Sequence, residues 1–167
     1  MKADLHVHTM FSKDGRTTME QLLARAEELG IGCIAVTDHN EFKAYDLLKD
    51  NGKIIIIPAE EVSSKQGHIV ALGIDRQIPA RKSIQETIDL IHEAGGYAFA
   101  AHPYRWWSGL GEKNTLDYPF EVPAGMRRTR DGRGTRCGAG RQRDIVSAPP
   151  VRAEGLQGRF RRVCLHR

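Results

Sequence analysis

Short apolar segments of this chain begin or end at histidines, and no other feature constrains the fold as strongly. Acidic residues occupy similar positions. The residues concerned are His6, His8, His39, His68, His102, Asp4, Asp14, Asp38 and Glu61. In parallel α/β folds, side chains at the carboxyl ends of strands gather at one edge of the sheet. The pattern therefore predicts a site where imidazoles and carboxylates from distant segments converge, as in a multinuclear metal hydrolase.

Hydrophobic periodicity and turn residues predict the order β-α-β-α-β-β-α-β over the first hundred residues. Strands are expected at residues 2–7, 31–37, 53–58, 68–74 and 97–101. Thr17-x-x-Glu20 and Ser83-x-x-Glu86 have capping-box spacing and predict the starts of two helices, with a third over 41–50. Four consecutive isoleucines in the third strand indicate burial on both faces, as in a parallel sheet. We therefore predict an α/β barrel or an open parallel sheet.

The bulk properties predict one cytoplasmic domain. A chain of 167 residues has room for a single ordinary domain. No apolar segment approaches the roughly 20 residues that a membrane span needs, and ligand-like residues follow the first methionine, so we predict neither a signal peptide nor a membrane partner. The three cysteines are too widely spaced for a disulfide framework or a CxxC zinc site, and Cys33 is expected in the core. The pattern specifies no oligomeric state.

Strand alternation gives the first ligand pair its geometry. In Asp4-Leu5-His6-Val7-His8, residues 4, 6 and 8 point to the same side of a strand. Imidazole and carboxylate ligands suit Zn, Mn or Fe, and a carboxylate such as Glu61 can bridge two ions. Each motif alone has an ordinary alternative: an accidental histidine pair, a helix cap, a solvated acidic loop or a turn. Their joint occurrence in chain order favours the metal site.

Six segments in succession also resemble a known family. D-L-H-V-H, S-K-D-G, T-D-H-N, P-A-E-E-V-S-S, G-H-I-V-A-L-G-I-D and A-A-H-P are similar to the motifs of the polymerase and histidinol phosphatase (PHP) domain, over about residues 1–122. The resemblance implies a distorted (β/α)7 TIM-like barrel that holds two or three divalent ions, often Zn, Mn or Fe. It also implies hydrolysis of phosphate esters, with small phosphate esters or nucleotides as substrates.

The resemblance implies a role for each matching residue. The implied metal ligands are His6 and His8 for a first ion, Glu61 as a bridge, His68 and His102 for a second ion, and Asp14 and His39 for a third. Glu61 is preferred to Glu60 because residues 58–63 align with a P-G-x-E-x-S pattern, although Ala59 replaces the glycine. A water activated by the ions attacks phosphorus while the cations neutralise the phosphoryl oxygens.

Further residues are expected around these ligands. Asp4 and Asp38 are expected to orient ligand imidazoles by hydrogen bonding, and Asp38 is counted with the catalytic groups. Arg105 is the best-placed residue to bind a substrate phosphate; its alternative role is that of an exposed loop arginine. Trp106 and Trp107 either line the pocket, stack on a base or cover a barrel rim.

The pattern breaks after Pro123. The family's closing G-S-D-A-H-like motif is absent, and residues 124–167 carry 12 Arg and no Lys against 3 acids, a net charge of +9. Residues 1–123 carry 13 Lys+Arg against 18 Asp+Glu, a net charge of −5. We therefore predict a partial barrel over 1–122 followed by an irregular or disordered Arg/Gly-rich tail over 123–167.

We hypothesise that this tail results from a frameshift in a GC-rich gene. Retranslating the DNA beyond codon 120 in its other two frames tests this hypothesis. If neither frame encodes a G-S-D-x-H-like segment, the hypothesis is refuted. One rival is a nucleic-acid-binding basic arm, because clustered arginine attracts phosphate. Another is an inactive metal-binding remnant. On the frameshift hypothesis, this chain is a poorer phosphoesterase than its frame-corrected form.

Overall fold

The computed structural model describes residues 1–121, and its first half is a parallel sheet. The strands are β1 (Lys2–Val7), β2 (Ile31–Val36) and β3 (Ile55–Ile57), in the order β1-β2-β3. The crossovers between them are the helices α1 (Met19–Leu29) and α2 (Lys43–Leu48). This half follows the predicted alternation of strands and helices. The predicted tail over 123–167 lies outside the described residues.

The second half is a separate antiparallel sheet, which the sequence analysis did not predict. Its strands are β4 (Ala59–Ser63), β5 (His68–Leu72) and β6 (Tyr97–Ala100), in that order, with α3 (Ile84–Glu93) before β6 and α4 (Gly111–Asp117) after it. A tight turn joins β4 to β5, where Ser64 N donates to Gly67 O at 2.9 Å. A parallel crossover needs a dozen or more residues, far more than the turn between β4 and β5 contains, so these two strands must run antiparallel. The α/β class is confirmed, but the expected all-parallel arrangement is wrong for this half, and no closed barrel is seen within residues 1–121.

Helix starts follow local capping chemistry. The capping box of α3 is formed by Ser83 and Glu86, as predicted. That of α1 pairs Thr18 with Gln21, so the predicted pairing of Thr17 with Glu20 was wrong by one residue. Adjacent threonines offer both registers, and the structure uses the second. Gly30 ends α1 with a φ of 63°, a left-handed conformation that glycine adopts without a steric penalty.

Each sheet packs its own hydrophobic core. Buried side chains on the parallel side are Leu22, Ala26, Ile34, Val36, Ala44, Leu48 and Ile56. Those on the antiparallel side include Val62, Ile69, Ile74, Ile78, Ile84, Ile88, Ile91 and Phe120. Among residues 1–121, no helix is long and apolar enough to cross a bilayer.

The two sheets meet at one backbone bridge between His39 and Glu61. Glu61 N donates to Asp38 O at 3.2 Å, and Asn40 N donates to Glu61 O at 3.1 Å. The Asn40 amide adds a reciprocal pair with Ser63, donating to its hydroxyl at 2.9 Å and accepting from its N–H at 2.8 Å. This junction brings the segment after β2 against the middle of β4.

Candidate metal centre

A single buried carboxylate lies at the junction, surrounded by imidazoles. Oε1 of Glu61 lies 2.9 Å from both His68 Nδ1 and His102 Nε2. Oε2 lies 2.9 Å from His6 Nε2 and 3.0 Å from His8 Nε2. The Glu61 side chain is 1% exposed. Four of the seven predicted ligand residues thus converge on the fifth.

Strand geometry explains how four separate segments reach one carboxylate. His6 lies in β1 and His8 follows it on the same face, so that their Nε2 atoms lie 3.1 Å apart. His102 follows β6, and His68 opens β5. Because β5 runs antiparallel to β4 and β6, its start lies at the same edge as their ends. The antiparallel half therefore places His68 correctly, although it begins a strand.

Glu61 itself was expected in a segment after a strand, but it lies inside β4. The chain leaves the first sheet after β3 and enters the second at Ala59, with only Pro58 between them. Proline has no N–H to donate to a ladder, which suits a change of sheet. This change of sheet directs the Glu61 side chain toward the interior of the fold, where the residue is fully buried.

A second group of ligand atoms lies beside the first. Asp14 Oδ1 is 3.5 Å from His8 Nδ1, and Asp14 Oδ2 is 3.3 Å from His39 Nε2. The Ser12 hydroxyl holds this group together, because it donates to Asp14 at 2.6 Å, lies 3.1 Å from His8 Nδ1 and accepts from His39 N at 3.2 Å. The sequence analysis missed Ser12. Its position in S-K-D-G was the available signal.

The seven predicted ligands therefore fall into overlapping sets. Sets of three whose ligand atoms lie within 4.8 Å of one another are His6 with His8 and Glu61, His8 with Asp14 and His39, and His39 with Glu61 and His68. His8, His39 and Glu61 each belong to two sets. His102 joins through its contact with Glu61.

Asp38 does not make the contact expected of it, and Asp4 bonds to the main chain of a predicted ligand residue. The buried Asp38 carboxylate accepts from both the N–H and the hydroxyl of Thr9, rather than from a ligand imidazole. It fixes the segment that follows His8. Asp4 Oδ1 accepts from the backbone N–H of His6 at 3.3 Å, so this bond acts on the main chain and not on the ring.

The carboxylate controls the protonation of its neighbours. Burial favours the neutral form of Glu61, but hydrogen bonds from His102, His6, His68 and His8 hold its pKa far below the usual range. Burial also disfavours a charged His8, yet the hydrogen bond and charge of Glu61 outweigh it and raise the pKa of His8. At His39 burial prevails and lowers the pKa. One carboxylate thus stabilises charge unequally among the rings.

The donor set fits divalent cations. Nδ1 of His39 and Nδ1 of His102 are buried and have no hydrogen-bond partner among the described residues. His39 Nδ1 lies 3.8 Å from Glu61 Oε2, too far for a hydrogen bond. Ligands of one zinc ion, each about 2.0–2.2 Å from it, can be this far apart. Imidazole nitrogens and carboxylate oxygens are the ligands that Zn, Mn and Fe accept.

Arg105 lies one turn beyond His102. Its backbone N–H donates to His102 O at 2.9 Å, and its guanidinium carbon lies 5.4 Å from the centroid of the Trp107 ring. The side chain is exposed. Binding of a substrate phosphate by Arg105 stays a prediction.

Several known proteins are similar to this chain. An uncharacterized protein of Methanocaldococcus jannaschii is 36% identical over 62% of this chain and 68% of its own length. The 5'-3' exoribonuclease Rnm of Salmonella typhimurium is 36% identical over 47% of this chain, but only 30% of its own length is matched. A solved two-domain protein of Bacteroides vulgatus, described as containing a predicted PHP-like metal-dependent phosphoesterase, aligns with a TM-score of 0.54 at 20% identity over 63% of this chain and 38% of that one.

The solved structure supports the fold alone, since its sequence identity is low. The family model for the PHP domain matches residues 4–99, which include six of the seven predicted metal ligands. The seventh, His102, lies three residues beyond that range. Motif order, fold and family model agree. This chain belongs to the PHP domain family.

Proposed function

We propose that this chain hydrolyses phosphate esters with the help of bound divalent ions. The observation that carries the proposal is the 1%-exposed Glu61 carboxylate, which has four imidazole nitrogens within 3.0 Å. Such a cluster is a poor device for stability, because buried charged and polar groups are stabilising only when fully paired. Divalent ions would supply positive charge to balance the Glu61 carboxylate, and Zn, Mn or Fe suits imidazole and carboxylate ligands.

The contacts of Glu61 and the family resemblance support an assignment of residues to the ions. His6, His8 and Glu61 would hold one, and Glu61 with His68 and His102 would hold a second. Asp14 and His39 are the candidates for a third. When bound, such ions lower the pKa of water and withdraw charge from a phosphoryl group.

Two further residues would support the site: Ser12 would fix the tautomer of a ligand, and Arg105 would bind the substrate. A His8 ring that binds through Nε2 carries its proton on Nδ1, which can donate to the Ser12 hydroxyl at 3.1 Å. Ser12 in turn donates to Asp14, so the tautomer of His8 is fixed by a chain of two hydrogen bonds. Arg105, three residues past His102, would bind the substrate phosphate as a fixed positive charge.

Family membership supports hydrolysis of phosphoesters in general, and one relative carries the name exoribonuclease. Since this chain matches only 30% of that relative, its substrate does not transfer directly. We propose small phosphate esters, nucleotides included, as the substrate class. We also propose that residues 1–122 form the hydrolase unit and that 123–167 add nothing to catalysis.

The test is turnover of p-nitrophenyl phosphate by the full chain loaded with zinc or manganese, measured beside a frame-corrected chain. We expect metal-dependent turnover that a chelator abolishes, and higher turnover in the corrected chain. Glu61→Gln should remove the activity, whereas Gln85→Ala, a change of an exposed side chain on α3 that donates to Asp89 of the same helix, should retain it. Turnover that survives both the chelator and Glu61→Gln would refute the proposal.

A further inference from the structure

Two large aromatic side chains beside the metal centre are left in solvent. Trp106 is 90% exposed and Trp107 is 75% exposed. We call residues 104–107 the aromatic rim. Neither indole packs against either hydrophobic core, so core packing does not explain why tryptophan occupies both positions. A tryptophan in solvent beside a candidate active site is available for a ligand.

The rim is the tip of a loop with both ends at the metal centre. The loop leaves from His102, whose carbonyl accepts from Arg105 N at 2.9 Å. It returns at Ser108, whose carbonyl accepts from the backbone N–H of His68 at 3.1 Å. Both His102 and His68 contact Glu61. The loop that carries the rim is therefore bonded through its main chain to two residues whose imidazoles contact the carboxylate.

Close backbone packing fixes the loop. A Cβ atom added at Gly67 would lie 2.9 Å from Leu110 N, and one added at Gly109 would lie 2.5 Å from Arg105 O. Gly111 N also donates to Pro103 O at 2.8 Å. These contacts involve the main chain rather than the indoles. The exposed rings are thus presented on a support that does not depend on them.

The rim combines flat aromatic surface with positive charge. The Arg105 guanidinium lies over the Trp107 ring, with 5.4 Å between its carbon and the centroid. Trp106 is the more exposed ring. Indole faces stack on nucleobases of any sequence, and arginine pairs with phosphate. A ligand that fits the rim and the centre together carries both a flat ring and a phosphate.

We propose that the aromatic rim is a nucleobase subsite, which makes nucleoside phosphates the preferred substrates of this chain. The base stacks on Trp106 or Trp107 while the phosphate lies at the Glu61 centre near Arg105. This inference rests on the proposed phosphoesterase function. It adds a base preference that the metal ligands alone do not supply.

The test compares AMP with ribose 5-phosphate on the zinc-loaded full chain. The two ligands share the sugar and the phosphate, so the basic tail acts on both alike and only the base differs. The chain contains only two tryptophans, so its tryptophan fluorescence reports on the rim alone. Stacking on an aromatic ring is worth roughly a 5- to 150-fold change in affinity per base. We expect AMP to quench the fluorescence and to bind more tightly than ribose 5-phosphate by that factor.

Variants assign the preference to the rings. Trp106→Ala and Trp107→Ala together should reduce the ratio of kcat/KM for AMP to that for ribose 5-phosphate to near one, and Trp106→Phe with Trp107→Phe should restore most of it. Leu47→Ala removes an exposed apolar side chain on α2, 59% exposed, and should keep the ratio of the parent. Because the rim side chains are outside the cores, the double variant should still fold.

The outcomes separate the two proposals. If both ligands are hydrolysed with equal kcat/KM and neither quenches the fluorescence, the rim inference is overturned and the phosphoesterase stands. If AMP binds with the expected preference but neither ligand is hydrolysed, the base subsite stands and the phosphoesterase fails. If AMP neither quenches nor is hydrolysed, the rim inference is also overturned.

Discussion

Replacing Glu61 by glutamine removes one negative charge from the middle of the imidazole cluster without changing its size. The carboxylate makes four contacts of 2.9–3.0 Å, two at each oxygen. Hydrogen bonds to a charged group are worth about 1 kcal/mol more than neutral ones, and an amide nitrogen cannot accept. Two contacts would weaken by about 1 kcal/mol each and two worth about 2 kcal/mol each would be lost, for a total of about 6 kcal/mol. Loss of one partner from a buried charged pair has a similar effect, about 3–5 kcal/mol.

The same change should abolish the response to metal. For the parent chain, a free ion at about 100 times its Kd stabilises the fold by about 2.7 kcal/mol, or roughly 10 °C in Tm for a domain of this size. Glu61→Gln should have a lower Tm without metal and should show almost no rise with zinc or manganese. Thermal unfolding followed by circular dichroism measures both quantities, and equilibrium dialysis measures the bound metal.

Glu60→Gln is the matched control, since it alters the neighbouring carboxylate on the same strand. Glu60 is fully buried, and its Oε2 accepts from Ile78 N at 3.0 Å, away from the imidazoles. Burial raises the pKa of Glu60 to about 7, so below that pH glutamine replaces a group that is mostly neutral. This variant should keep the metal-induced rise in Tm. A full rise in Glu61→Gln, or its loss in Glu60→Gln, would show that the cluster does not act through Glu61.

Three further predictions follow from individual contacts. In the metal-free chain the pKa of His8 should lie above 6.5 and that of His39 below it, so that the stability from protonated His8 is complete below pH 6.5 and lost as the pH rises through its raised pKa. Proton NMR titration of the rings checks this, and the reverse order would contradict it. Ser12→Ala should weaken metal binding about 10- to 100-fold, because the Ser12 hydroxyl contacts His8 and Asp14. Ser64→Ala also removes several hydrogen bonds of a serine hydroxyl but should leave metal binding unchanged. Equal losses of bound metal in the two variants, measured by dialysis, would exclude a specific role of Ser12. Burial raises the pKa of Cys33 to about 11, so in a chain whose other cysteines are serine the thiol should react with a disulfide reagent at pH 8 only after unfolding.

The convergence of the imidazole and carboxylate side chains could be predicted from the sequence because their signal is local. A histidine at the end of a short apolar segment identifies both a strand and a group at its edge, as His39 and His102 do after β2 and β6. The resemblance to the family then implied which of the ions each residue would bind. The same reasoning gave the alternation of strands and helices as far as β3, but it missed β4, which carries Glu61, and α4. Strand direction has no comparable local signal, since an apolar segment reads alike in parallel and antiparallel sheets.

One residue did carry information about direction. His68 opens its strand, whereas the other strand-edge ligands close theirs. In an all-parallel sheet it would lie at the opposite edge from the rest, so grouping it with them already required a reversed strand. The contacts of Ser12 and Asp38 had no such signal. Their partners lie in separate segments, His39 for Ser12 and Thr9 for Asp38, and depend on the folded positions of both.

The position of the centre between two sheets links metal binding to the fold. His6, His8 and His39 belong to the parallel half, whereas Glu61, His68 and His102 belong to the antiparallel half. Besides Phe42, which packs against the antiparallel-side core, the junction is held by the His39–Glu61 bridge, the Asn40–Ser63 pair and the imidazole contacts of Glu61. An ion held by Glu61 with His6 and His8 therefore joins the halves directly. Since ligands must lose protons to bind it, both affinity and the stability of this junction should increase as the pH rises from 5 to 8.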